Sequence, residues 1–109
     1  MSVEPSGVVV LFTTAPTADK AQEIARALVT EKLAACVNIV PGVRSIYAWK
    51  GEICDEGEVL CVMKTRSDRV EALQARLCAL HPYEVPELVV LDVRGGHEGY
   101  LAWVREAVT

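Results

Sequence analysis

The sequence contains no long hydrophobic run and no leader-like start. A membrane-spanning helix needs roughly 18 consecutive apolar residues, and no stretch of the 109 residues approaches that length. The first residues, MSVEPSG, lack the basic segment followed by an apolar one that a secretory signal requires. We therefore predict a cytoplasmic protein without a membrane span.

Basic residues are few and scattered. Eleven lysines and arginines stand against fifteen aspartates and glutamates, which gives a net charge of −4. A nucleic-acid-binding protein needs a basic stripe that displaces counterions, and the sequence has none. The charge pattern excludes nucleic acid as a partner and argues against a purely electrostatic contact with membranes.

Cysteine pairs at metal-binding spacing are also missing. The four cysteines include no Cys-x-x-Cys pair, so neither a structural zinc site nor a cytoplasmic disulfide framework is predicted. Cys36, Cys61 and Cys78 lie in apolar segments and are predicted to be buried core residues. Cys54 lies in the charged stretch KGEICDEGE and is predicted to be exposed.

Known catalytic motifs are absent too. The sequence has no Gly-x-Ser-x-Gly, no Walker-type loop and no His-Glu-x-x-His, and Gly95-Gly96 fits a turn rather than a phosphate-binding loop. A nucleophilic Cys–His pair would need Cys36 or Cys78 beside His81, and nothing in the sequence places them together. The protein is predicted not to be an enzyme.

Apolar periodicity, in contrast, is clear along the chain. The β-branched run GVVVLFTT, residues 7–14, predicts a strand buried on both faces. A helix is predicted to follow, with Thr17 as its N-cap and Asp19 near the positive end of the helix dipole. Its apolar face has helical spacing and consists of Ala21, Ile24, Ala25, Leu28 and Val29.

Alternating patterns fill the middle of the chain. Residues 34–40 and 43–49 read as two strands on either side of Pro41-Gly42. A Pro-Gly pair suits a type II turn, and because that turn matches the twist of a hairpin poorly, a bulged or longer loop is predicted. Residues 50–58 are charged and punctuated by glycine, which predicts a loop or a frayed strand end. Residues 58–65 read as another strand.

A second helix, a strand and a third helix complete the chain. Ser67 is predicted to cap the second helix, which ends near His81 because Pro82 disfavours helical geometry there. Its inner face consists of Val70, Leu73, Leu77 and Leu80. Residues 87–93 read as a strand, and helical spacing from Tyr100 onwards predicts the closing helix.

The order of strand, helix, strand, strand, helix and strand predicts an α+β protein with the ferredoxin-like split βαβ fold (βαββαβ), extended by a C-terminal helix in one domain of residues 1–109. Such an antiparallel sheet leaves one face and two edges uncovered. The middle hairpin carries Tyr47 and Trp49, which are suited to burial against a partner. We therefore predict a symmetric oligomer, in which the last helix helps to cover the open surface.

Four blocks together make the sequence similar to the CutA family of divalent-cation tolerance proteins. They are LVTEKLAACVNIVPGVRSIYAWKGEI, EVLCVMKT, HPYEVPELVVLDV and YLAWV, and the likeness runs from about residue 8 to residue 104. The resemblance implies a homotrimer in which long hairpin strands extend the antiparallel sheets across subunits. It also implies a cytoplasmic bacterial protein linked to copper tolerance, with copper or another divalent cation as a candidate ligand.

His81 is the first candidate for a metal ligand. A neutral imidazole binds copper and zinc, and an acidic neighbour, Glu84 or Glu87, would complete the site. The alternative is that His81 only ends the helix. Family members associated with copper binding resemble this chain but carry a cysteine in place of Thr13 and a second histidine in place of Leu80, so the resemblance implies weak copper binding here.

A second set of candidates would bind a small ligand and consists of Cys36, Trp49, Lys64, Tyr83 and Glu87. Two prolines stiffen HPYEVPEL and would pre-organise Tyr83 and Glu87, or would simply fix the path from helix to strand. Trp49 suits a pocket wall or an interface anchor. Lys64 would reach water, pair with a carboxylate such as Glu87 or meet an anionic ligand.

Three functions stay open at this point. The first is a trimeric protein in the response to divalent metal ions, with weak binding of copper or another divalent cation. The second is a trimeric signalling module similar in architecture to the PII proteins, with a small anion or nucleotide between subunits near Lys64, Trp49 and Tyr83. The third is a trimeric interaction scaffold without a small ligand.

Overall fold

A four-stranded antiparallel sheet lies at the centre of the structure, a computed structural model that describes residues 6–109. The strands lie in the order β2-β3-β1-β4, and three α-helices complete an α+β fold, as predicted. The elements are β1 (Val8–Ala15), α1 (Ala18–Thr30), β2 (Cys36–Trp49), β3 (Glu52–Arg66), α2 (Val70–Leu80), β4 (Val89–Asp92) and α3 (Glu98–Ala107). The prediction about the leader concerns mainly residues 1–5, which lie outside the described residues.

The first strand and helix form where their apolar patterns predicted them. The Lys20 backbone N–H donates to the Thr17 hydroxyl at 3.1 Å, which confirms Thr17 as the N-cap of α1. The predicted inner face of α1 is buried with one exception, Val29, which is 42% exposed. The helix therefore packs through a narrower apolar stripe than the sequence suggested.

The two strands predicted around Pro41-Gly42 are one strand, β2, interrupted by a β-bulge. The register with β3 shifts between Val40 and Val43, where two residues of β2 lie opposite one of β3. Gly42 has a φ of 79°, which glycine adopts readily and which lets the strand continue past the proline. The three segments predicted as strands between the first two helices therefore form two strands, which is the number in the predicted βαββαβ order.

The hairpin turn lies at Lys50-Gly51, and of the two structures predicted for residues 50–58, a loop or a frayed strand end, the loop is wrong from residue 52 onwards. The two turn residues have φ values of 51° and 80°, and a type I′ turn needs a positive φ at both positions. β3 already begins at Glu52, so charged residues line a long exposed hairpin. Arg44 and Asp55 pair across it with 2.6 Å between Nε and Oδ1. Backbone hydrogen bonds and charged side-chain pairs between the strands hold this part of the hairpin together. Because these contacts need no apolar pattern, the sequence gave no signal for the first half of β3.

The second helix begins later than predicted and ends as predicted. Ser67–Arg69 forms a single 3-10 turn, and no side chain caps the start of α2, so Ser67 is not its N-cap. At the other end the helix stops at Leu80, and His81 adopts extended geometry in front of Pro82. The strand predicted over residues 87–93 is confirmed with the narrower bounds of β4.

The main core lies between one sheet face and the helices α1 and α2. Its largest cluster consists of Val9, Leu11, Ile24, Leu28, Leu33, Ala34, Met63, Leu73 and Leu77. α3 packs on the other face, where Leu101 and Val104 contact Val8 at one end of β1. The last helix thus covers part of the open surface, in agreement with the prediction, while its Trp103 stays exposed.

The cysteines are distributed differently from the prediction. Cys61 is fully buried, as expected, but Cys36 is half-buried and Cys78 is exposed on α2. Cys54 is half-buried rather than exposed because it pairs with Tyr47 across the hairpin. Cys78 follows the buried Leu77 directly, and the helical period turns its side chain towards solvent.

The sheet face opposite the main core, called the open face below, carries apolar side chains that α3 leaves uncovered. Residues paired across antiparallel strands share a face, so the register defines two neighbouring rows. The rows are Asn38–Val62–Phe12–Val89 and Cys36–Lys64–Val10–Leu91. Val89 and Leu91 on the edge strand β4 are 48% and 50% exposed.

None of the helices within the described residues combines the length and the apolar character needed to span a bilayer.

Candidate functional site

The segment HPYEVPEL, between α2 and β4, forms one wall of a groove beside the β2–β3 hairpin. The groove has a volume of about 660 Å³, which is within the usual range of small-ligand sites. Its walls combine aromatic rings, carboxylates and a few small polar groups. They consist of Thr14, Ser45, Ile46, Tyr47, Trp49, Glu58, Pro82, Tyr83, Glu84, Val85 and Glu87.

The β-bulge in β2 brings the aromatic residues to this groove. Before the bulge, even-numbered residues of β2 such as Asn38 lie on the open face, and after it odd-numbered residues do, because a one-residue offset reverses the alternation. Val43 then pairs with Glu58, and Tyr47 and Trp49 follow on the same side of the hairpin. Without the bulge these two rings would face away from Glu58.

His81 is buried beneath the groove with both ring nitrogens engaged. Its Nε2 lies 2.7 Å from the Thr14 carbonyl oxygen, and the Tyr83 backbone N–H donates to its Nδ1 at 3.1 Å. This pattern requires the neutral tautomer with the proton on Nε2. The residue is 7% exposed, and it ties the end of β1 to the first turn of HPYEVPEL. His81 therefore fixes the wall that carries Tyr83.

Tyr83 and Glu58 form the polar centre of the groove. The Tyr83 hydroxyl donates to Glu58 Oε2 at 2.6 Å, although the two residues are 25 positions apart. Glu58 is only 8% exposed. Burial, and then the hydrogen bond to the Glu58 carboxylate, raise the pKa of the Tyr83 hydroxyl well above its ordinary value. Tyr83 therefore stays a neutral donor to a buried carboxylate.

The rim of the groove holds an aromatic ring, an amine and a second carboxylate. The Lys50 ammonium lies 5.7 Å from the centre of the Trp49 ring and 3.8 Å from Glu84 Oε2. Nearby, partial desolvation and then the Glu56 carboxylate raise the pKa of Tyr47 to about 12. The rim thus has a negative character that already attracts one cation of the chain itself.

The structure divides the candidate residues predicted from the sequence into two groups. Trp49, Tyr83, Glu84 and Glu87 line the groove together, whereas Cys36 and Lys64 pair with each other on the open face. Of the three alternatives predicted for Lys64, contact with a carboxylate such as Glu87 is not found among residues 6–109. Its ammonium donates to Asn38 Oδ1 at 2.8 Å and lies 5.6 Å from the centre of the Tyr100 ring.

No cluster of three His, Cys, Asp or Glu side chains in residues 6–109 is arranged to hold a metal ion. His81 would have to give up its hydrogen bond to Thr14 or to Tyr83 before either ring nitrogen could bind copper. Glu84 is exposed at the rim, next to Lys50. Thr13, which is fully buried in β1, has a hydroxyl with no hydrogen-bond partner among the described residues.

Among the charged residues at the groove, sequence reasoning missed Glu58 in the wall and Lys50 beside the rim. Glu58 stood at the boundary between a predicted loop and a predicted strand, and Lys50 stood inside that loop. The usable signal was a carboxylate directly before the apolar run VLCVM, since an acidic residue entering a buried strand needs a partner. The identity of that partner, Tyr83, has no signal in the sequence.

Replacing Tyr83 by phenylalanine is expected to lower the free energy of unfolding by about 2 kcal/mol, because the buried Glu58 carboxylate loses its donor. Urea unfolding of the wild type, Y83F, E58Q and the double variant would give the coupling free energy between the two side chains. Tyr100→Phe, an exposed tyrosine, is the matched control and should change stability little. Additive effects in the double variant would contradict the contact.

The same contact predicts a loss of stability at alkaline pH. A tyrosine whose pKa is higher in the folded than in the unfolded chain contributes its full stability below about pH 10, the ordinary tyrosine value. Above that pH the unfolded chain loses its proton first, so stability falls. Y83F should reduce this fall, and Tyr47, which has a pKa of about 12, should account for part of the remainder.

Comparison with known proteins shows that this chain is similar in sequence and in structure to members of one family. The family model described as CutA1 divalent ion tolerance protein matches residues 9–107. The divalent-cation tolerance protein CutA of Thermus thermophilus is 50% identical over 97 residues, which make up 89% of this chain and 94% of that protein. Human protein CutA is 48% identical over 102 residues, and these cover 94% of this chain but 57% of the human protein. A solved structure of a divalent cation tolerance protein from Thermus thermophilus matches with a TM-score of 0.91 at 47% identity, covering 94% of this chain and 99% of that chain.

Proposed function

This chain belongs to the CutA1 divalent ion tolerance protein family, and we propose that it acts in tolerance to divalent metal ions as a homotrimer. The observation that carries the proposal is the family match over residues 9–107, which includes the three α-helices, the strands apart from the first residue of β1, and every residue of the groove. Divalent-cation tolerance is the function that the names of the relatives print. A catalytic role is not part of the proposal.

We infer that the subunits meet through the open face and that each has the ferredoxin-like split βαβ arrangement. The sheet order β2-β3-β1-β4, with β3 between the strands that flank α1, supports this topology. The apolar rows and the exposed edge strand β4 support contact with a second copy, since uncovered edges and apolar faces of this kind are normally covered. The long hairpin offers further edges for sheet extension between subunits.

We further propose that copper or another divalent cation is bound only weakly and that the protein works in the cytoplasm. Weak binding follows from the double engagement of His81 and from the lack of any cluster of three ligating side chains within residues 6–109. A reducing compartment agrees with the four free cysteines. The signalling alternative receives less support, because the groove is lined by carboxylates while Lys64 lies on the open face.

Calorimetric titration of copper(II) and zinc(II) into the wild type and His81→Asn tests the metal part of this proposal. We expect dissociation constants weaker than about 1 µM for both ions, and a small effect of the substitution, because the histidine is not free to bind. Glu84→Gln should remove more of the weak affinity than His81→Asn. One tightly bound ion per chain that disappears in His81→Asn would contradict this account.

The tolerance part is tested by growth at raised copper concentration of a bacterial host whose own family member has been deleted. The wild-type chain should restore growth relative to an empty vector. No restoration by a well-expressed trimer would overturn the proposed role, independently of the binding data.

A further inference from the structure

Along β3 the open face carries opposite charges at its two ends. Glu58 and Lys64 both lie on this face, and because side chains alternate along a strand, the other even-numbered residues of β3 lie there too. Three glutamates, Glu52, Glu56 and Glu58, lie towards the hairpin turn and are called the acidic end below. An apolar stretch separates them from Lys64, which lies towards the other end of the strand.

Lys64 is a half-buried lysine without a carboxylate partner. Its ammonium donates to the neutral Asn38 side chain at 2.8 Å and lies 5.6 Å from the centre of the Tyr100 ring. No carboxylate within residues 6–109 forms an ion pair with it. Its neighbour on this face, Arg66, is already paired with Asp68 at 2.9 Å. An ammonium group that becomes buried in a subunit contact needs an opposite charge, so a neighbouring chain has to supply one.

The symmetry of a trimer requires two such complementary surfaces on every chain. A closed ring of three subunits cannot use one self-complementary patch, so each contact joins two different surfaces. We propose that the acidic end of one subunit lies against the open face of the next, where Glu56 of the partner subunit pairs with Lys64. This inference rests on the proposed homotrimer, and it adds the direction in which the subunits follow one another and the charged contact that fixes it.

Glu56 is the carboxylate of the acidic end that is free for this contact. Glu58 is only 8% exposed and receives the Tyr83 hydroxyl, and Glu52 lies at the tip of the hairpin, next to the turn. Glu56 is exposed and forms no ion pair with residues 6–109. Desolvation and then this carboxylate raise the pKa of Tyr47 to about 12, which agrees with a negative potential here that a cation would offset.

The two residues of the proposed pair cannot meet within one chain. Glu56 and Lys64 are eight positions apart on one extended strand, which separates them by about 27 Å. Any interaction between their charges therefore joins two different subunits. For this reason an exchange of the two charges tests the contact and its direction at the same time.

The experiment is charge reversal at both positions, followed by sedimentation velocity at one fixed chain concentration. Glu56→Lys and Lys64→Glu each bring like charges together at all three contacts of the ring, so each should weaken assembly about a thousandfold and shift the mass towards that of one chain. The double variant restores opposite charges in exchanged places, and Asn38 can offer its amide N–H to the new carboxylate. It should recover the affinity of the wild type to within about tenfold.

Arg26→Glu and Glu71→Lys are the matched controls. Both residues are exposed and lie on α1 and α2, on the other side of the sheet. These reversals should leave the mass of the assembly unchanged, separately and together. Circular dichroism establishes that each variant is folded. Because Glu56→Lys changes an exposed side chain of the hairpin, it keeps the test decisive if Lys64→Glu does not fold.

A second exchange distinguishes Glu56 from another unpaired carboxylate. Glu87 is exposed in front of β4 and also forms no ion pair within the described part of the chain. Lys64→Glu combined with Glu87→Lys should therefore remain dissociated. Reassembly of this combination would assign Glu87 of the partner subunit to Lys64 and overturn the pairing with Glu56.

A trimer that tolerates Glu56→Lys would also overturn the inference, as would two dissociated single variants whose double variant does not reassemble. With a trimeric wild type, these results remove the proposed pair and leave the homotrimer in place. A monomeric wild type refutes the homotrimer and the pair together. A trimer that shows the expected rescue but fails to restore growth at raised copper keeps this inference and loses the proposed tolerance role.

Discussion

Leu91→Asp is expected to convert the proposed trimer into folded monomers. Leu91 lies on the edge strand β4, next to Val10 on the open face, and it is 50% exposed in the single chain. An aspartate there adds little strain to the subunit because water can reach it. In an assembled trimer the same carboxylate would be buried against a neighbour without a partner, at a cost on the order of 3 kcal/mol per subunit.

The size of the effect follows from symmetry, since every subunit carries the substitution. Three such penalties would reduce the association constant about a millionfold, which is enough to dissociate a trimer at micromolar concentration. Sedimentation velocity would show a shift from the mass of three chains towards 11.9 kDa, the mass of one chain. The circular dichroism spectrum should keep its α+β form.

Val29→Asp is the matched control for Leu91→Asp. Val29 is also aliphatic and is 42% exposed, but it lies on α1, on the other side of the sheet. It should leave the mass of the assembly unchanged. A trimer that tolerates Leu91→Asp would place the subunit contact away from this end of the open face, and a wild-type monomer would refute the assembly itself.

His81→Ala is expected to lower the free energy of unfolding by about 3 kcal/mol, the largest effect of any single substitution in the groove. The change removes two hydrogen bonds and leaves the Thr14 carbonyl and the Tyr83 N–H without their partner. It also leaves a cavity, because the imidazole is almost completely buried. Urea unfolding monitored by circular dichroism at one fixed protein concentration would measure the loss.

The chain supplies a control in its other histidine. His97 is the N-cap of α3, where its Nδ1 accepts the Tyr100 backbone N–H at 3.2 Å in an exposed position. His97→Ala should therefore cost about 1 kcal/mol, the usual value of a cap. Equal losses for the two histidines would contradict the role of His81 as the residue that fixes HPYEVPEL. His81→Asn, which can still donate or accept one hydrogen bond, should fall between them.

Local patterns in the sequence were sufficient to predict the helices and strands whose formation depends on residues close together in the chain. The period of 3.6 residues and the Thr17 cap determined α1, and Pro82 determined the end of α2. The β-branched runs determined β1 and the second half of β3. The family resemblance was carried by blocks that span most of the chain, and it was confirmed by the match over residues 9–107.

Long-range pairing was needed for the hairpin and for the groove. The charged half of β3 is held by backbone hydrogen bonds to β2, so it has no apolar pattern from which it could be predicted. The bulge at Pro41-Gly42 decided which side of the hairpin Tyr47 and Trp49 occupy. The sequence predicted a ligand site between subunits near Lys64, Trp49 and Tyr83. Within one chain the register pairs Lys64 with Cys36 on the open face, apart from the groove.

The sequence by itself thus determined the residue types that this protein brings to its surface, and the tertiary structure decided which of them meet. HPYEVPEL could be recognised as stiff, but the partners of its side chains come from Thr14 and Glu58, on two other strands. These contacts depend on strand register, and register is set by the packing of the whole sheet rather than by any local segment. For this reason His81 has the chemistry of a metal ligand when only its residue type is considered, while the fold commits both of its ring nitrogens to backbone hydrogen bonds.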